Sequence, residues 1–276
     1  MAEQLVQTRL PVIRACEMTG LSRAAYYKRS GPASERDAGV IDVLNKMVEN
    51  HQRWGFWKCF SRLRLDGHQW NHKRVHRVYC HMGLNLPRRT KKRIPDRDRQ
   101  PLDLAHKVND CWALDFMHDS LYCGKAFRTL NVIDEANREC LAIDIGTSIP
   151  STRLIRTLER LINYYGKPQA IRLDNGPEMT SQQFMDWAQT RDIYIRYIQP
   201  GKPNQNAFIE RFNRTYREEV LSAHLFDNIR QVQEITEQWL YEYNENRPHE
   251  SLGNIPPTQF MPRLTTAPIL YNELST

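Results

Sequence analysis

Three acidic residues of this 276-residue chain have the type and placement to hold divalent metal ions. The sequence places Asp115 in the middle of a predicted strand, Asp174 at the end of a later strand and Glu210 one turn inside a helix. Three carboxylates gathered from separate elements repel one another strongly if nothing neutralises them. They are stable around Mg²⁺, which takes hard oxygen ligands and usually keeps waters and substrate phosphates in its shell. The three acids therefore predict a carboxylate metal site.

Glu210 also has a simpler explanation. Arg214 and Arg217 follow it at i+4 and i+7, and this pattern taken alone usually marks a salt-bridged surface helix. Before the helix, the stretch GKPNQN is rich in residues that favour turns. The helix is predicted to begin near Gln205, because apolar residues recur at helical spacing beyond it. This stretch alone does not distinguish whether Glu210 is a metal ligand or a salt-bridged surface acid.

Basic residues are concentrated in the first part of the chain. Positions 1–108 hold 22 Lys and Arg against 10 Asp and Glu, a net charge of +12, whereas positions 109–276 hold 17 against 22, a net charge of −5. A basic module beside an acidic one favours a polyanionic partner. We interpret this partner as nucleic acid, because no amphipathic, Trp-flanked helix that could anchor to a membrane accompanies the basic module. No membrane span or signal peptide is predicted, so we expect a soluble intracellular protein.

The order of elements predicts an α/β protein preceded by a small all-helical region. Near the start of the chain, two short helices around Gly20 have the outline of a helix-turn-helix, and a structural helical hairpin is an equal alternative. The predicted segments are a helix-turn-helix-like segment (1–34), a helical DNA-binding domain (35–87), a basic linker (88–108), an α/β core (109–224), and a C-terminal helix and tail (225–276).

Within the core, three strands precede alternating helices and strands. DCWALDFMHDS alternates with a period of two, and FRTLNVIDEAN and ECLAIDIGT follow as two more strands joined by short turns. A helix, a strand, a helix, a fifth strand and the helix near Gln205 complete the order. This order predicts a ribonuclease H-like fold, a five-stranded mixed sheet with flanking helices. The strands of Asp115 and Asp174 are neighbours in that fold, so both acids are expected to face one cleft.

The sequence also predicts the roles of residues outside this site. The breaker-rich stretch from Gly31 to Asp37 is expected to be a linker, and Ser151 is expected to cap the first helix of the core. Three further acids near the sheet are left out of the predicted site. Asp134 opens a turn, Asp144 is expected to face solvent, and Glu178 could support the metal ligands from outside.

Three motifs resemble the DDE catalytic core of insertion-sequence transposases: WALDFM, IRLDNGPEM and PGKPNQNAFIERFNRTYREEVL, with 35 residues between Asp174 and Glu210. The family is the one named after insertion sequence three, and the chain is similar to its orfB-type catalytic subunit, a relative of retroviral integrases. YNENRPHESLGNIPPTQF resembles the C-terminal region of that family, so the resemblance extends from about Val40 to Phe260. It implies that Asp115 and these two acids are the catalytic, metal-binding triad of an integrase-type core.

The resemblance also implies a cofactor and DNA contacts. The cofactor is Mg²⁺, with Mn²⁺ as a substitute, bound as two ions. GKPNQN resembles an active-site loop that settles on DNA, in which Asn206 either contacts the DNA or sets the turn. The basic face of the helix NHKRVHRVYCHMG and the basic linker suit a DNA groove and its phosphates. The predicted DNA-binding residues are Lys73, Arg74, Arg77, Arg88, Arg89, Lys91, Lys92, Arg93, Lys202, Asn206, Arg214 and Arg217.

The implied activity is DNA transposition by metal-dependent cleavage of phosphodiester bonds at element ends and transfer of the 3′-OH to target DNA. The implied partners are the terminal repeats, the target DNA, and further copies of the chain in a homo-oligomer on DNA. A helix-turn-helix and coiled-coil protein from an upstream frame is a further expected partner, because this chain has no sustained heptad repeat of its own. We expect the protein in the bacterial cytoplasm, associated with the nucleoid and not with a membrane. Two alternatives stay open: a nuclease of the same fold that cuts without joining, and a catalytically silent DNA-binding relic.

Overall fold

The computed structural model describes residues 10–23, 26, 33–87, 105–198 and 206–263. These residues divide into two compact units. The first unit is drawn from positions 1–50 and 71–84, and the second unit from positions 51–70 and 85–276. Across the described ranges, no helix is long and apolar enough to cross a membrane. The domain limits predicted from the sequence stay a prediction.

The described secondary structure contains helices in both units and strands in the second. In chain order, the α-helices are α1 (Val12–Thr19), α2 (Ala33–Asn50), α3 (Phe56–Leu65), α4 (His72–His81), α5 (Ser151–Tyr165), α6 (Gln182–Thr190), α7 (Ala207–Tyr216), α8 (Ile229–Tyr241) and α9 (Pro257–Phe260). The strands are β1 (Cys111–Ser120), β2 (Ala126–Asp134), β3 (Cys140–Gly146), β4 (Ala170–Leu173) and β5 (Tyr194–Tyr197). π-helical segments extend α7 over Arg217–Leu221 and α8 over Glu242–Asn246, and a short 3₁₀-helix spans Glu250–Leu252.

The first unit holds α1, α2 and α4. α1 ends at Gly20, whose φ of 67° lies in the left-handed region that glycine tolerates, so the predicted turn is confirmed. Most of the helix predicted after it lies outside the described residues. The linker predicted from Gly31 to Asp37 is wrong, because α2 covers that stretch from its third residue onward. The physical reason is that the Asp37 side chain is buried and binds Arg74 and Arg77 of α4, which ties this turn of α2 into the unit.

α4 has the start and the buried face that its sequence predicts. The Asn71 side chain accepts a hydrogen bond from the Lys73 backbone N–H at 2.8 Å, which satisfies one of the donors exposed at a helix start. Val75, Val78 and Tyr79 are buried along one side of the helix. The helix therefore packs through one apolar face, and its basic residues lie on the other faces.

The five strands form one mixed sheet in the order β3-β2-β1-β4-β5. β1, β2 and β3 pair antiparallel as a meander, whereas β1 with β4 and β4 with β5 pair in parallel. The predicted five-stranded mixed sheet and its meander are confirmed. β1 lies at the centre, and β4 is its parallel neighbour.

Helices cover both faces of this sheet, and successive side chains of β1 point alternately towards the two faces. Trp112 and Leu114 point into a core shared with α5 and α6. Ala113 and Met117 point into a second core that includes Phe212 of α7 and residues of α8. Each large apolar side chain that is fully buried contributes roughly 1.5–3 kcal/mol to folding. Because side chains alternate across a strand, residue 115 belongs to the α7 side of the sheet.

The start of α5 differs from the prediction by one position. Ser151 is the first helical residue, and Pro150 precedes it with an extended backbone and without a side-chain cap. The Ser151 hydroxyl donates to the carbonyl oxygen of Glu178 at 2.9 Å, so it joins α5 to the loop after β4. α5 ends at Gly166, where φ is 88°.

Candidate active site

The parallel pairing of β1 and β4 brings two of the predicted acids side by side. Ala113 of β1 lies opposite Arg172 of β4, and continuing this register by two residues places Asp115 beside Asp174. Asp174 is exposed directly after Leu173, at the carboxyl end of β4. The prediction that these acids stand on neighbouring strands is confirmed. Open α/β sheets bind ligands outside the carboxyl ends of their strands, where Asp174 lies, and Asp115 stands beside it midway along β1.

A buried asparagine fastens α7 to the Asp115 carboxylate. The Nδ2 of Asn213 donates to Asp115 Oδ2 at 2.7 Å, and the backbone N–H of Phe116 donates to Oδ1 at 2.8 Å. Asn213 lies three residues after Glu210, so both point from neighbouring positions of α7. The helix that carries the third acid is thereby held against the strand that carries the first. Glu210 itself is exposed in the first turn of α7.

Asn213 is itself held by a second asparagine. The Nδ2 of Asn131, opposite Asp115 on β2, donates to Asn213 Oδ1 at 2.6 Å. Since an ionised carboxylate can only accept, the Asn213 amide must point its NH₂ group towards Asp115. These two asparagines, which we call the asparagine relay, were not predicted from the sequence. The available signal was an asparagine between the apolar positions Phe212 and Tyr216, in a helix interior that asparagine does not favour.

The three carboxylates share one electrostatic environment. The pKa of Asp115 is raised to about 6, mainly because the carboxyl group is buried, and further because Asp174 and Glu210 are negatively charged neighbours. The hydrogen bonds from the Phe116 backbone and from Asn213 act in the opposite direction and lower it. In the described parts of the chain, no ion pair neutralises any of the three acids. The site thus holds an excess of negative charge at the sheet edge.

The donor set fits a hard divalent cation. Among the described residues, no three His, Cys, Asp or Glu side chains lie close enough together to form a group that could hold a metal ion. Mg²⁺ does not require such a group, because it commonly binds through one or two carboxylates and completes its shell with water and substrate phosphates. Asp115, Asp174 and Glu210 supply only carboxylate oxygens, which are the donors that Mg²⁺ prefers.

The other acids near the sheet are bound to basic residues. Asp144 is buried and accepts from Arg153 at 2.6 and 3.0 Å, so the expectation that it faces solvent is wrong. Its burial is possible because the guanidinium group and a threonine hydroxyl satisfy both oxygens. Glu178 forms an ion pair with Arg128 on β2. Asp134 does open a turn, and it is fully buried against the guanidinium group of Arg263.

The predicted DNA contacts of α7 differ in their surroundings. Arg214 is exposed. Arg217 donates to Asp119 Oδ2 at 3.1 Å and to the carbonyl oxygen of His118 at 2.9 Å, so it borders the same strand as the first acid. Asn206 is buried just before α7, and its Oδ1 has no hydrogen-bond partner in the described structure. Its side chain makes no capping hydrogen bond to α7, so both predicted roles of Asn206, the DNA contact and the turn, stay predictions.

The predicted contacts of the first unit are also unequal. Lys73 is exposed on α4. Arg74 and Arg77 are bound to Asp37 at 2.8 and 2.7 Å, so both have a structural partner within the unit. Six predicted contacts lie outside the described residues: Arg88, Arg89, Lys91, Lys92, Arg93 and Lys202.

Comparisons with known proteins agree with this architecture. Integrase core domain families match residues 105–203 and 191–257, and an HTH-like domain family matches residues 35–93. An uncharacterized 39.2 kDa protein of insertion element IS476 from Xanthomonas euvesicatoria is 36% identical over 256 residues, which cover 93% of this chain and 74% of that protein. An uncharacterized 31.7 kDa protein of insertion element IS407 from Burkholderia multivorans is 33% identical over 264 residues, 95% of each chain.

A solved structure shows the same fold. A chain of the simian T-cell lymphotropic virus intasome, determined by cryoEM in complex with PP2A regulatory subunit B56 gamma, superposes with a TM-score of 0.52 and 19% sequence identity. The match covers 81% of this chain and 77% of that chain. At this level of identity the similarity concerns the fold alone.

Proposed function

This chain belongs to the insertion-sequence transposases of orfB type, in the family named after insertion sequence three, and on that premise we propose that it cuts and joins DNA at element ends. In the first reaction, the oxygen of water attacks a phosphorus atom at the element end and the bond to the 3′ oxygen breaks. In the second, the freed 3′-OH attacks a phosphorus atom of target DNA and displaces a 3′ oxygen there. Each joining step replaces one phosphodiester bond with another, so no nucleotide cofactor is consumed.

The placement of Asp115 carries this proposal. It stands beside Asp174 in the register of two parallel strands, and the bond from Asn213 ties it to the helix of Glu210. Three elements far apart in sequence thus bring together acids that form no ion pair with any described residue. Such an arrangement costs stability unless bound cations neutralise it, because like charges at short range raise each other's pKa and oppose ionisation.

We assign the metal ligands to Asp115, Asp174 and Glu210. When bound there, divalent metal ions lower the pKa of an attacking water or 3′-OH and stabilise the leaving oxygen of an in-line displacement, and we expect two ions. Asn213 orients Asp115, so that the carboxylate meets its ligand in one fixed direction. Arg214 and Arg217, on the same side of α7 as Glu210, bind phosphates of the DNA.

The proposed partners follow from the two parts of the chain. The HTH-like region and the basic linker bind the terminal repeats, and the integrase core binds the scissile phosphate and the target. Copies of the chain pair two element ends as an oligomer on DNA. A helix-turn-helix and coiled-coil protein of the same element assists specific binding, so the isolated chain is expected to bind its ends weakly. Specific nanomolar binding by this chain alone would contradict that part. The proposed location is the bacterial cytoplasm, on nucleoid DNA.

A cleavage assay with matched variants tests the triad. Supercoiled plasmid carrying two element ends is incubated with the full chain and Mg²⁺, Mn²⁺ or EDTA, and nicked product is measured. Wild-type protein should nick only with metal, and Asp115→Asn, Asp174→Asn and Glu210→Gln should each abolish nicking while DNA binding persists. Glu234→Gln on α8, an exposed acid outside the site, is the control for the same chemical change and should nick normally. If any one triad variant nicks plasmid at the wild-type rate, its substituted residue is not part of the metal site.

A second assay separates joining from cutting. A labelled oligonucleotide that ends in the element's terminal sequence is incubated with target plasmid and metal, and longer labelled products are sought. Joined products support a transposase, whereas cleavage without joining supports a nuclease of the same fold. DNA binding with no metal-dependent cleavage in either assay supports a silent DNA-binding relic.

A further inference from the structure

A second site lies on the face of α7 that is turned away from the triad. At about 3.6 residues per turn, positions 208, 211, 212 and 215 share one face of this helix, and positions 210, 214 and 217 share the opposite face. The first set lines a cavity of ≈ 630 Å³. The other walls come from α3, from the turn between β2 and β3, and from residues 243–251. All of its lining residues belong to the second unit.

We call this space the cationic cavity, because most of the charged side chains in its lining are basic. Lys58, Arg138, Arg211 and Arg247 line it, against the single acid Glu250. In the part of the chain that the structure describes, no carboxylate lies within ion-pairing distance of Lys58, Arg138 or Arg211. The lining therefore carries an excess of positive charge, which the nearby carboxylates of Glu219 and Glu135 reduce without forming an ion pair with these three residues. Clustered cations of this kind are stabilised by an anionic ligand.

Arg247 and His249 present polar atoms that the protein leaves unsatisfied. Arg247 is only 8% exposed; its Nη2 binds Glu219 at 2.6 Å, and its Nε is buried without a partner. The Nε2 of His249 is also buried without a partner. Burial, with the neighbouring charges of Arg247, Lys58 and Arg138, lowers the pKa of His249 to about 3, so its ring is neutral at physiological pH. A buried donor without an acceptor destabilises the fold, and a ligand acceptor would offset that cost.

Arg138 occupies a backbone position that suits a different residue. Its φ of 64° lies in the left-handed region, which bulky residues rarely adopt. Its Nη1 is buried without a hydrogen-bond partner, and its guanidinium carbon lies 3.3 Å from the centroid of the Phe208 ring. Burial lowers the pKa of this guanidinium group as well. Among the described residues Arg138 forms no ion pair, so its buried charge and its backbone conformation are best explained by a ligand.

The pKa of Lys58 reflects the same excess of positive charge. Its pKa is lowered to about 8, first by burial and then by the charges of Arg247 and Arg211, which outweigh the opposite effect of Glu219. An anion bound among these groups would favour the charged ammonium form. The ammonium group also lies 5.9 Å from the centroid of the Trp54 ring.

Aromatic rings adjoin the cations. Phe208, Phe212 and Tyr243 line the cavity, and the ring of Tyr243 stands edge to face with that of Phe212 at 5.1 Å. Ring faces beside guanidinium groups are the combination that binds nucleotides in single strands, because bases stack on the rings and phosphates bind the cations. Phe212 and Tyr243 are only 2% and 4% exposed, and the Arg138 guanidinium group covers the Phe208 ring. A base would therefore pack over that guanidinium group and the adjoining ring edges, whereas a free phosphate would use the cations alone.

We propose that the cationic cavity binds a nucleotide of a single DNA strand, with the phosphate held by the four basic residues Lys58, Arg138, Arg211 and Arg247 and the base against the aromatic wall. The proposal rests on the proposed function for its choice of nucleic acid as the ligand. It adds a contact to DNA that is separate from the triad, because the two sites lie on opposite faces of α7. A strand that passes the cut site would thereby be held on both sides of this helix.

Chemical labelling of Lys58 reports on occupancy of this cavity and of no other DNA site. The full chain is acylated at pH 8 with a limiting amount of an amine reagent, and the rate at Lys58 is read from its peptide by mass spectrometry. A short 5′-phosphorylated single-stranded oligonucleotide should slow this rate in wild-type protein. Arg138→Gly should raise the concentration needed for protection at least about tenfold, because one charge-assisted contact is lost. Its melting temperature should be unchanged or higher, because glycine tolerates this backbone.

Matched variants and ligands decide the outcome. Arg211→Ala is a second variant at an exposed position and should also weaken protection, whereas Arg230→Ala on α8, an exposed arginine outside the cavity, should not. Glu210→Gln should keep full protection, so a failed triad and a failed cavity give different results. The proposal would be overturned if the oligonucleotide protected Lys58 in the Arg138→Gly and Arg211→Ala proteins as well as it does in wild-type protein. Protection by inorganic phosphate or by an acidic peptide at the same concentration as the oligonucleotide would also overturn it, since the base would then contribute nothing.

Discussion

The asparagine relay behind Asp115 offers the most direct test of the proposed site. Asn213→Ala removes two hydrogen bonds at once, the one donated to Asp115 Oδ2 at 2.7 Å and the one accepted from Asn131 at 2.6 Å. Asn213 is 8% exposed and Asn131 is fully buried, so water does not readily replace either group. Asp115 keeps its bond from the Phe116 backbone, so the carboxylate stays in place but loses its lateral support.

Both effects have an expected size. The Asn131 amide loses its acceptor and remains buried, which should lower the free energy of unfolding by about 1–3 kcal/mol. A hydrogen bond to a charged group contributes roughly 1.5–3 kcal/mol. If that contribution is needed to orient the metal ligand in the transition state, the nicking rate should fall about 10- to 100-fold. Asn131→Ala reaches Asp115 only through Asn213, so it should lose stability with a smaller loss of nicking.

Urea unfolding and plasmid nicking of the two single variants and the double variant measure these effects. In the double variant neither amide is left facing a missing partner, so its loss of stability should be less than the sum of the single losses. Nicking at the wild-type rate by Asn213→Ala protein would refute the positioning role. Strict additivity of the two stability losses would refute the bonded relay itself.

Three other perturbations test separate parts of the structure. Arg263→Ala leaves Asp134 and Glu139 buried without their shared cation, so the free energy of unfolding should fall by about 3–5 kcal/mol. A change below about 1 kcal/mol in urea unfolding would contradict this expectation. The pKa of Asp37 lies below its ordinary value of 3.8, chiefly through the hydrogen bond from an arginine of α4, so its stabilising effect is complete above about pH 4 and is lost as the pH falls through the lower folded pKa. Helix content followed by circular dichroism during acid titration should therefore fall less steeply in Asp37→Asn protein, and identical titrations would argue against the ion pair. Arg217→Ala removes an exposed ion pair and should change the free energy of unfolding by at most about 1 kcal/mol. It should also reduce the salt dependence of DNA binding by about one phosphate contact. If the slope of binding affinity against salt concentration is unchanged, Arg217 does not contact the DNA.

Local pattern determined most of the architecture of this protein. The period of two in WALDFM and the helical spacing after Gln205 are set by which face of an element is buried, and burial constrains residues that are near in sequence. The five strands, the parallel neighbours β1 and β4, and the glycine that ends α5 could therefore be predicted. The acids Asp115 and Asp174 could be placed side by side for the same reason, because strand order follows from the order of the elements.

Tertiary contacts alone decided which charged and polar residues have partners. Asp144 and Asp37 resemble solvent-exposed acids in the sequence, yet each is buried against an arginine that the fold brings to it. Asn213 reaches Asp115 across 98 positions, and no spacing rule joins them. The cationic cavity likewise draws its charges from α3, a turn and the C-terminal segment. The physical reason is that the cost of burying a charge depends on its nearest neighbours in space, and residues distant along the chain supply those neighbours.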